Sequence, residues 1–448
     1  MASLGGIGPK PVKVVGRPAD PQGMPAPRSA LVPAALLAAL AGSLVAGAGT
    51  AVPAAAATRT AATAAVATTY VPTTADVRIA ARLSTRAAAS VLGTHYSGTV
   101  IDVASNRVVW SRNGSVGRMP ASTAKLITAT NALTVFGPDH RFTTTVRRDA
   151  THPSWVYLVG AGDPSLSGAN LDVLADQTAA EVSGMTSLRV FADDHVFSRP
   201  SLARGWKASY VPTDVRWVRA LVVDGHHATD TSLDAAKVFA AKLKARGATI
   251  TSVSRRTAPR PSTGLASVQG QRLDAIVKQM LLVSDNDHAE ALNRLVATKA
   301  GYAATWTGAA QAQRVVLARD GVQIPAGAMF DGSGLSRSDR LTTGQLARVV
   351  DNFLESGQSD LAVLRSGGLP LAGRTGTLTK RFVKQATCAR GKVVAKTGTL
   401  QDAVSLVGYA TGTDGRLKAF AFVVNGKTAT TAIKNRVDVL AATVTGCY

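Results

Sequence analysis

The sequence predicts an α+β protein in which an antiparallel sheet is flanked by helices and a smaller α/β domain is inserted. Near the C-terminus, three consecutive segments have the composition of strands, with turn signals at "TDG" and "NG": "KVVAKTGTL", "AVSLVGYATG" and "RLKAFAFVVNG". Helical segments lie before these strands, and a final helix is predicted over about 428–444. Between residues 138 and 262 short strands alternate with helices, which indicates a separate module.

The first 75 residues predict that the chain is exported. Residues 29–58 contain no charged side chain, basic residues precede them, and the small-residue run "AVPAAAATRT" closes the stretch. A basic region, an apolar region and an Ala-x-Ala site form a secretory signal, so we assign 1–57 to a signal peptide. An N-terminal anchor is the alternative, because the apolar length is borderline for a membrane span. The low-complexity residues 58–75 predict a linker.

The charge of the chain bears on its partners. The 448 residues include 50 Lys and Arg against 28 Asp and Glu, a formal net charge of +22. The basic residues are scattered rather than clustered with aromatic residues, which argues against nucleic acid as a partner. Attraction to anionic cell-wall polymers or to a membrane surface fits this charge equally well. Together with the export signal, it predicts an extracytoplasmic protein associated with the cell wall or the membrane.

The first elements after the linker are a helix and a hairpin. Residues 76–92 have a helical pattern, and "YSGTVIDVAS" with "RVVWSRN" predicts a β-hairpin whose turn lies near Asn106. Because Pro120 cannot continue a preceding helix, we expect the next helix to start close to Ser122.

The domain that contains the predicted sheet is discontinuous in sequence. We assign residues 76–137 and 263–448 to this catalytic domain and residues 138–262 to the inserted domain. The stretch "RRTAPRPSTG" marks the exit from the insert.

The chain has two cysteines, Cys388 and Cys447. In an exported protein such a pair predicts one disulfide, which would fasten the C-terminal end to a loop near residue 388. Two free thiols are the alternative.

The run "MPASTAKLITATNAL" (119–133) contains a single charged residue, Lys125. Ser122 precedes it by three positions, so both side chains lie on one face of a helix. A serine hydroxyl becomes a nucleophile when a base takes its proton, and burial favours the neutral lysine that can act as this base. Alone, the pattern also fits a lysine that snorkels from a core helix.

Two further motifs favour the catalytic interpretation. Ser284-Asp285-Asn286 follows a helical run, and Lys396-Thr397-Gly398-Thr399 lies on the first C-terminal strand. The order Ser-x-x-Lys, Ser-x-Asn, Lys-Thr-Gly is the signature of penicillin-binding proteins and serine β-lactamases. A second Ser-x-Asn at 111–113 precedes the nucleophile and is out of order. "GRTGTL" lacks the lysine, so we interpret it as a structural turn.

Four segments restrict this resemblance to one family of penicillin-binding proteins. The chain resembles the D-alanyl-D-alanine carboxypeptidase/endopeptidase family, low-molecular-mass class C penicillin-binding proteins, in "GAGDPSL" (160–166), "FDGSGLSR" (330–337), "GRTGTLTKRF" (373–382) and "AKTGTL" (395–400). The similarity covers about 80–448 and implies a serine β-lactamase/penicillin-binding transpeptidase-like domain. The interval between the first two motifs is short for this family, so we expect one inserted domain where relatives have two.

The resemblance implies an exported serine DD-peptidase that cleaves the D-Ala-D-Ala bond of peptidoglycan stem peptides, with cross-link cleavage as a second activity. Ser122 would attack the carbonyl of the penultimate D-alanine and form an acyl-enzyme, while Lys125 takes its proton. Ser284 would relay a proton to the departing D-alanine, and Asn286 would bind Lys125 and the substrate amide.

The strand motif would bind the substrate by the same resemblance. Lys396 would keep a positive field near the terminal carboxylate and lower the pKa of Lys125. The substrate-binding residues would be Thr397, Gly398 and Thr399, with the two threonines bonded to the carboxylate. The backbone N–H groups of Ser122 and Thr399 would form the oxyanion hole. The pocket for the stem-peptide side chain would be bordered by Leu335 and Arg337.

The implied reaction needs no cofactor and no metal, and β-lactam antibiotics would act as covalent inhibitors. His226 and His227 lack the partners of a metal site, so we interpret them as loop residues. Glu290 in "EALN" is similar to the deacylating glutamate of class A β-lactamases but follows Ser284-Asp285-Asn286 too closely, so we interpret it as a helix residue. A serine β-lactamase and a non-catalytic penicillin-binding or cell-wall scaffolding protein on this fold are the alternatives.

Overall fold

The computed structural model describes residues 71–185 and 187–448. The predicted signal peptide or anchor, and the predicted linker as far as residue 70, lie outside the described residues. Within the described ranges, no helix combines the length and the apolar character needed to cross a bilayer.

The strands and helices follow in chain order. The strands are β1 (Tyr96–Asp102), β2 (Arg107–Arg112), β3 (Arg141–Asp149), β4 (Trp155–Val159), β5 (Leu188–Asp193), β6 (Ile250–Arg255), β7 (Ser262–Arg272), β8 (Val393–Leu400), β9 (Ala403–Thr411) and β10 (Leu417–Asn425). The helices are α1 (Thr74–Ala87), α2 (Lys125–Phe136), α3 (Gly168–Glu181), α4 (Thr231–Lys244), α5 (Leu273–Val283), α6 (Asn286–Lys299), α7 (Trp306–Arg319), α8 (Thr343–Glu355), α9 (Ala362–Arg365) and α10 (Thr431–Val444).

The main sheet has the order β2-β1-β10-β9-β8, and every neighbouring pair is antiparallel. Side chains alternate between its faces, so β10 contributes to two cores. Phe420 and Phe422 pack with α1 and α10, whereas Ala419 and Ala421 face the core that contains α2, α5, α6 and α8. The prediction of an antiparallel sheet flanked by helices is therefore confirmed.

The predicted hairpin is formed by β1 and β2, which pair antiparallel. Asn106 lies directly before β2 and has a φ of 54°, a left-handed conformation that asparagine tolerates better than most residues. The helix before the hairpin begins at Thr74 because Thr73 forms a capping box with Asp76.

The inserted segment forms a second sheet with the order β6-β5-β4-β3-β7. Strands β4, β5 and β6 run parallel, and β3 pairs antiparallel with both β4 and β7. Helices α3 and α4 cover one face through a separate apolar core. Because β7 pairs with β3, this sheet runs to Arg272, ten residues beyond the boundary at 262 that the sequence predicted. The composition could not locate this return strand, since its pairing partner lies more than one hundred residues earlier.

The structure joins the two cysteines. Cys388 and Cys447 form a disulfide with a Cα–Cα distance of 6.0 Å, which connects the segment before β8 to the end of α10. The bond therefore ties the C-terminus to the strand that carries the Lys-Thr-Gly motif.

Candidate active site

The Ser-x-x-Lys motif lies where a 3₁₀ turn, Ala121–Ala124, continues into α2. Lys125 is fully buried, and its Nζ lies 3.1 Å from the Ser122 Oγ. The same Nζ donates to the Asn286 Oδ1 at 2.6 Å and to the Ser333 carbonyl at 2.8 Å. The lysine therefore does not snorkel to solvent, and its amine is held against the hydroxyl that it would deprotonate.

Burial lowers the pKa of Lys125 to about 8, because the protein interior solvates an ammonium group poorly. Four carboxylates oppose this shift, and their order of effect is Asp331, Glu290, Asp285 and Asp287. A lysine with this pKa has a substantial neutral fraction near physiological pH, which a general base requires.

The Ser-Asp-Asn motif forms the turn between α5 and α6. Ser284 ends α5 in a left-handed conformation with a φ of 65°. Asp285 caps α6 by accepting a hydrogen bond from the His288 N–H at 2.9 Å. This turn projects Asn286 toward Lys125, and the Asn286 Nδ2 donates to the Asp214 carbonyl at 2.7 Å. The amide orientation is thereby determined on both sides, with the oxygen toward the lysine.

Lys396 joins the strand motif to the Ser-Asp-Asn motif. Its buried Nζ donates to the Ser284 Oγ at 2.8 Å and to the Thr397 carbonyl at 2.8 Å. Burial lowers the pKa of Lys396 well below its usual range, and the positive charge of Lys125 lowers it further. The sequence predicts that burial and the cationic Lys396 together lower the pKa of Lys125, and in the structure burial is the main cause.

Strand β8 is an edge strand of the main sheet. Residues 370–372 pair with the outer edge of residues 393–395, and the outer edge beyond Ala395 is open. The Ala395 N–H donates outward to the Pro370 carbonyl at 2.9 Å. In an antiparallel strand alternate residues direct their N–H groups to the same side, so those of Thr397 and Thr399 also point outward. An extended peptide can therefore add to this edge, and the Thr399 N–H is directed at its backbone.

Gly398 is the point of closest approach between β8 and the turn that carries the nucleophile. A Cβ at this position would lie 2.1 Å from the Ser405 Oγ, 2.8 Å from the Pro120 carbonyl oxygen and 3.0 Å from the Ser122 nitrogen. The Ser405 Oγ donates to the Pro120 carbonyl at 2.6 Å and so ties β9 to the same turn. Only glycine leaves room for this contact.

We expect Gly398→Ala to slow acylation by a β-lactam about 100-fold, because the new methyl group would displace the Ser122 N–H from the oxyanion position. Stopped-flow acylation kinetics would measure the change. Gly264→Ala is the matched control, since Gly264 also lies in a strand and a Cβ there would meet no atom within 4 Å. Unchanged acylation by Gly398→Ala would contradict the role assigned to this contact.

"GRTGTL" contains a turn, as the sequence predicts, and this turn also contacts the strand motif. Gly376–Leu378 forms a 3₁₀ turn, and the Thr397 Oγ1 donates to the Thr377 Oγ1 at 2.7 Å. Thr377 therefore orients a predicted substrate-binding hydroxyl. The similarity of "GRTGTL" to "AKTGTL" is the signal for this contact in the sequence, although "GRTGTL" lacks the lysine.

The loop at 331–336 supplies the backbone carbonyl that binds Lys125. The sequence did not predict this contact. Glu290 is fully buried and accepts hydrogen bonds from the Gly332 and Ser333 N–H groups, which holds the Ser333 carbonyl against Lys125. Asp331 accepts from the Ser336 N–H at 2.6 Å and from the Trp206 Nε1 at 2.7 Å. Burial, with Asp331 nearby, raises the pKa of Glu290 to about 7. Glu290 lies in helix α6, as the sequence predicts, and its carboxylate also anchors this loop.

Leu335 and Arg337 lie at the end of the strand motif. Leu335 is buried in a small apolar cluster with Trp206, against which Leu400 packs. The guanidinium of Arg337 pairs with both oxygens of Asp402, at 2.8 and 2.7 Å. This ion pair raises the pKa of Arg337. Both residues therefore border the region just beyond Thr399, and Arg337 already has a carboxylate partner.

The two histidines set aside at the sequence level lie in the insert. The His226 Nδ1 is 2.8 Å from the Asp234 Oδ2, and His227 is exposed. In the part of the chain that the structure describes, no group of three or more His, Cys, Asp and Glu side chains is arranged to hold a metal.

Comparisons with known proteins agree with this arrangement. The chain is 32% identical over 403 residues to the carboxypeptidase DacB of Mycolicibacterium smegmatis, covering 84% of this chain and 85% of that one. It is 33% identical over 382 residues to a carboxypeptidase of Mycobacterium tuberculosis, covering 79% and 81% of the two chains.

Among solved structures, penicillin-binding protein 4 of Haemophilus influenzae matches with a TM-score of 0.68 and 19% identity, covering 81% of this chain and 97% of that one. The match supports the predicted fold. A family model also aligns with residues 79–225 and 221–444, which include all three motifs. Because this model spans most of the described residues, the resemblance stated from the motifs is confirmed: the chain belongs to the D-Ala-D-Ala carboxypeptidase 3 (S13) family.

Proposed function

We propose that this protein is a serine DD-peptidase that removes the terminal D-alanine from peptidoglycan stem peptides through an acyl-enzyme on Ser122. One observation carries the proposal. A single buried amine, the Lys125 Nζ, contacts both the Ser122 hydroxyl and the Asn286 side-chain oxygen beside the open edge of β8. Family membership supports the same reaction.

Acylation begins when the Ser122 Oγ attacks the carbonyl carbon of the penultimate D-alanine and its proton passes to the neutral Lys125 Nζ. The carbonyl oxygen gains negative charge, which the N–H groups of Ser122 and Thr399 stabilise. The peptide C–N bond then breaks, and the leaving amine of D-alanine receives a proton through Ser284. An ester between Ser122 and the shortened peptide results.

The substrate carboxylate would shift the pKa values of Lys396 and Lys125 in opposite directions. It would lie near Lys396 and bond to the hydroxyls of Thr397 and Thr399, which favours the ammonium form of Lys396. Repulsion between two ammonium groups would then favour the neutral form of Lys125. Binding of the correct anionic terminus would thus prepare the base for acylation.

Water would hydrolyse the ester slowly when the acyl group comes from a β-lactam. The Glu290 carboxylate accepts from the Gly332 and Ser333 N–H groups, so it holds a loop and does not serve as a deacylating base. A structure of the Haemophilus influenzae protein is a complex with a β-lactam, which supports β-lactam binding here. We therefore propose a penicillin-binding peptidase rather than an efficient β-lactamase.

The substrate class implies that the protein acts outside the cytoplasm, where peptidoglycan lies. The export signal predicted for residues 1–57 is consistent with this location. Membrane attachment through the same segment stays a prediction from the sequence.

Incubation with a defined disaccharide pentapeptide would test the reaction. We expect mass spectrometry to show a product that lacks one D-alanine, with free D-alanine released in equal amount. A cross-linked dimer in a parallel incubation would reveal endopeptidase activity if it yields two monomers. Recovery of both substrates unchanged by a protein that folds would contradict the proposed function.

A further inference from the structure

The inserted domain contains two adjoining cavities at one edge of its sheet. The larger has a volume of 610 Å³ and is lined by Asp194 and His195, directly after β5, and by Arg255, the last residue of β6. The second has a volume of 470 Å³, shares His195, and includes Val159, the last residue of β4. Both therefore lie at the carboxyl ends of three adjacent parallel strands, where open α/β sheets usually bind ligands. Their sizes are within the usual range for ligand sites, about 300–1,000 Å³.

Cationic side chains dominate the larger cavity. Arg219 and Arg255 line it, and both contact Asp194 and Asp230, which hold the two guanidinium groups in place. Arg199 lines the same cavity, is exposed, and has no carboxylate partner among the residues that the structure describes.

The adjoining cavity adds two more arginines. Arg147 donates to the side chain and the carbonyl of Ser262, both neutral groups. Arg260 lines the cavity without an acidic partner in the described ranges. Arginines thus outnumber carboxylates across both cavities, which favours an anionic ligand.

Aromatic rings form part of the wall of the larger cavity. Phe197 is buried and Trp217 half-buried, and both line it. A ligand that matches this surface carries negative charge for the arginines and an apolar ring face for the aromatic side chains.

The cavity is connected to the active site by one short segment. At one end of this segment, the Asp214 carbonyl accepts from Asn286, and the Arg216 N–H donates to Asp287 at 2.7 Å. At the other end, Trp217 and Arg219 line the cavity. The five steps along the chain from Asp214 to Arg219 span at most about 18 Å, so a polymer that presents a stem peptide to Ser122 could also reach the insert.

We propose that these cavities bind an acidic cell-wall saccharide, with a carboxylate or phosphodiester group on the arginines and sugar rings against Trp217. The choice of a saccharide rests on the proposed function, because the substrate of that reaction is attached to a glycan. The inserted domain would then hold the wall polymer while the catalytic domain cleaves the peptide.

Calorimetric titration of the full chain, already acylated with penicillin, would test this proposal. The probes are polygalacturonate, a phosphomannan whose sugars are joined by phosphodiesters, neutral dextran and an oligonucleotide. We expect one of the two acidic saccharide polymers to bind, more weakly at high salt, and dextran not to bind. Preference for polygalacturonate would assign a carboxylate ligand, and preference for the phosphomannan a phosphodiester ligand. Tighter binding of the oligonucleotide than of either polymer would overturn the saccharide assignment.

Charge-reversal variants locate the site. We expect Arg199→Glu and Arg260→Glu each to weaken polymer binding at least about tenfold, with penicillin labelling unchanged. Lys237→Glu is the control, because Lys237 is exposed on α4 of the same domain and makes the same change in net charge. Equal affinity of wild type and both arginine variants, equal weakening by Lys237→Glu, or no binding of any probe would refute the site. Failure of penicillin labelling would instead count against the proposed reaction, so the two outcomes are distinguishable.

Discussion

Ser122→Ala is expected to abolish covalent labelling by a fluorescent penicillin and to reduce D-alanine release by at least about 10³-fold. The acyl-enzyme needs an oxygen nucleophile at this position, and the Ser122 Oγ is the hydroxyl that Lys125 contacts in the 3₁₀ turn. Alanine keeps the turn, since the loss of one partly exposed hydroxyl leaves the buried side chains around it in place. Gel fluorescence and product mass would report the two losses.

Ser111→Ala is the matched control for this experiment. Ser111 belongs to the second Ser-x-Asn sequence and lies on strand β2, so its hydroxyl should be dispensable for labelling. Labelling that persists in Ser122→Ala, or that is lost in Ser111→Ala, would contradict the assignment of the nucleophile.

Lys125→Ala is expected to slow acylation by about 10²–10⁴-fold, the usual contribution of a general base. The variant should stay folded, because α2 keeps its apolar contacts with the core. Lys125→Arg distinguishes a role as general base from a role as positive charge, because arginine stays protonated at any working pH. We expect Lys125→Arg to be as slow as Lys125→Ala. Substantial acylation by the arginine variant would show that charge, rather than proton removal, is the contribution of this side chain.

The pH dependence gives an independent measure of the same base. A neutral Lys125 is the active form, and burial lowers its pKa to about 8. The neutral fraction therefore increases with pH, so the second-order rate of acylation should rise about tenfold between pH 6 and pH 7 and level off above pH 8. A rate that is flat over this range, measured by stopped-flow fluorescence, would contradict deprotonation of Lys125 as the controlling step.

The main elements of the fold and the three motifs could be predicted from local patterns. The strands β8, β9 and β10 alternate or are apolar over short runs bounded by turn residues, and such signals depend only on neighbours in sequence. Ser122 and Lys125 are one helical turn apart, so their contact was also a local property. The composition indicated a separate module between α2 and α5, but it did not reveal the last strand of that module.

The rest of the site depends on contacts between distant segments. The Ser333 carbonyl that binds Lys125 is a backbone group, which every residue type possesses and no sequence pattern marks. Glu290 resembled an ordinary helix residue, and only its burial against the 332–333 backbone identifies it as a loop anchor. The resemblance predicted that Arg337 borders the pocket for the stem-peptide side chain. Its ion pair with Asp402 could not be predicted, because it depends on where the fold places the end of β8.

By itself, the sequence determined which groups are available for chemistry: a serine and a lysine one turn apart, an amide-bearing turn, and a cationic strand ending in glycine and threonine. The tertiary structure decided their protonation and orientation. Burial of Lys125 lowers its pKa to about 8, and contacts with Asn286 and Ser333 direct its amine at Ser122. These properties arise from desolvation and from hydrogen bonds across long sequence separations, so they exist only after α2 has packed against α6 and the loop at 331–336.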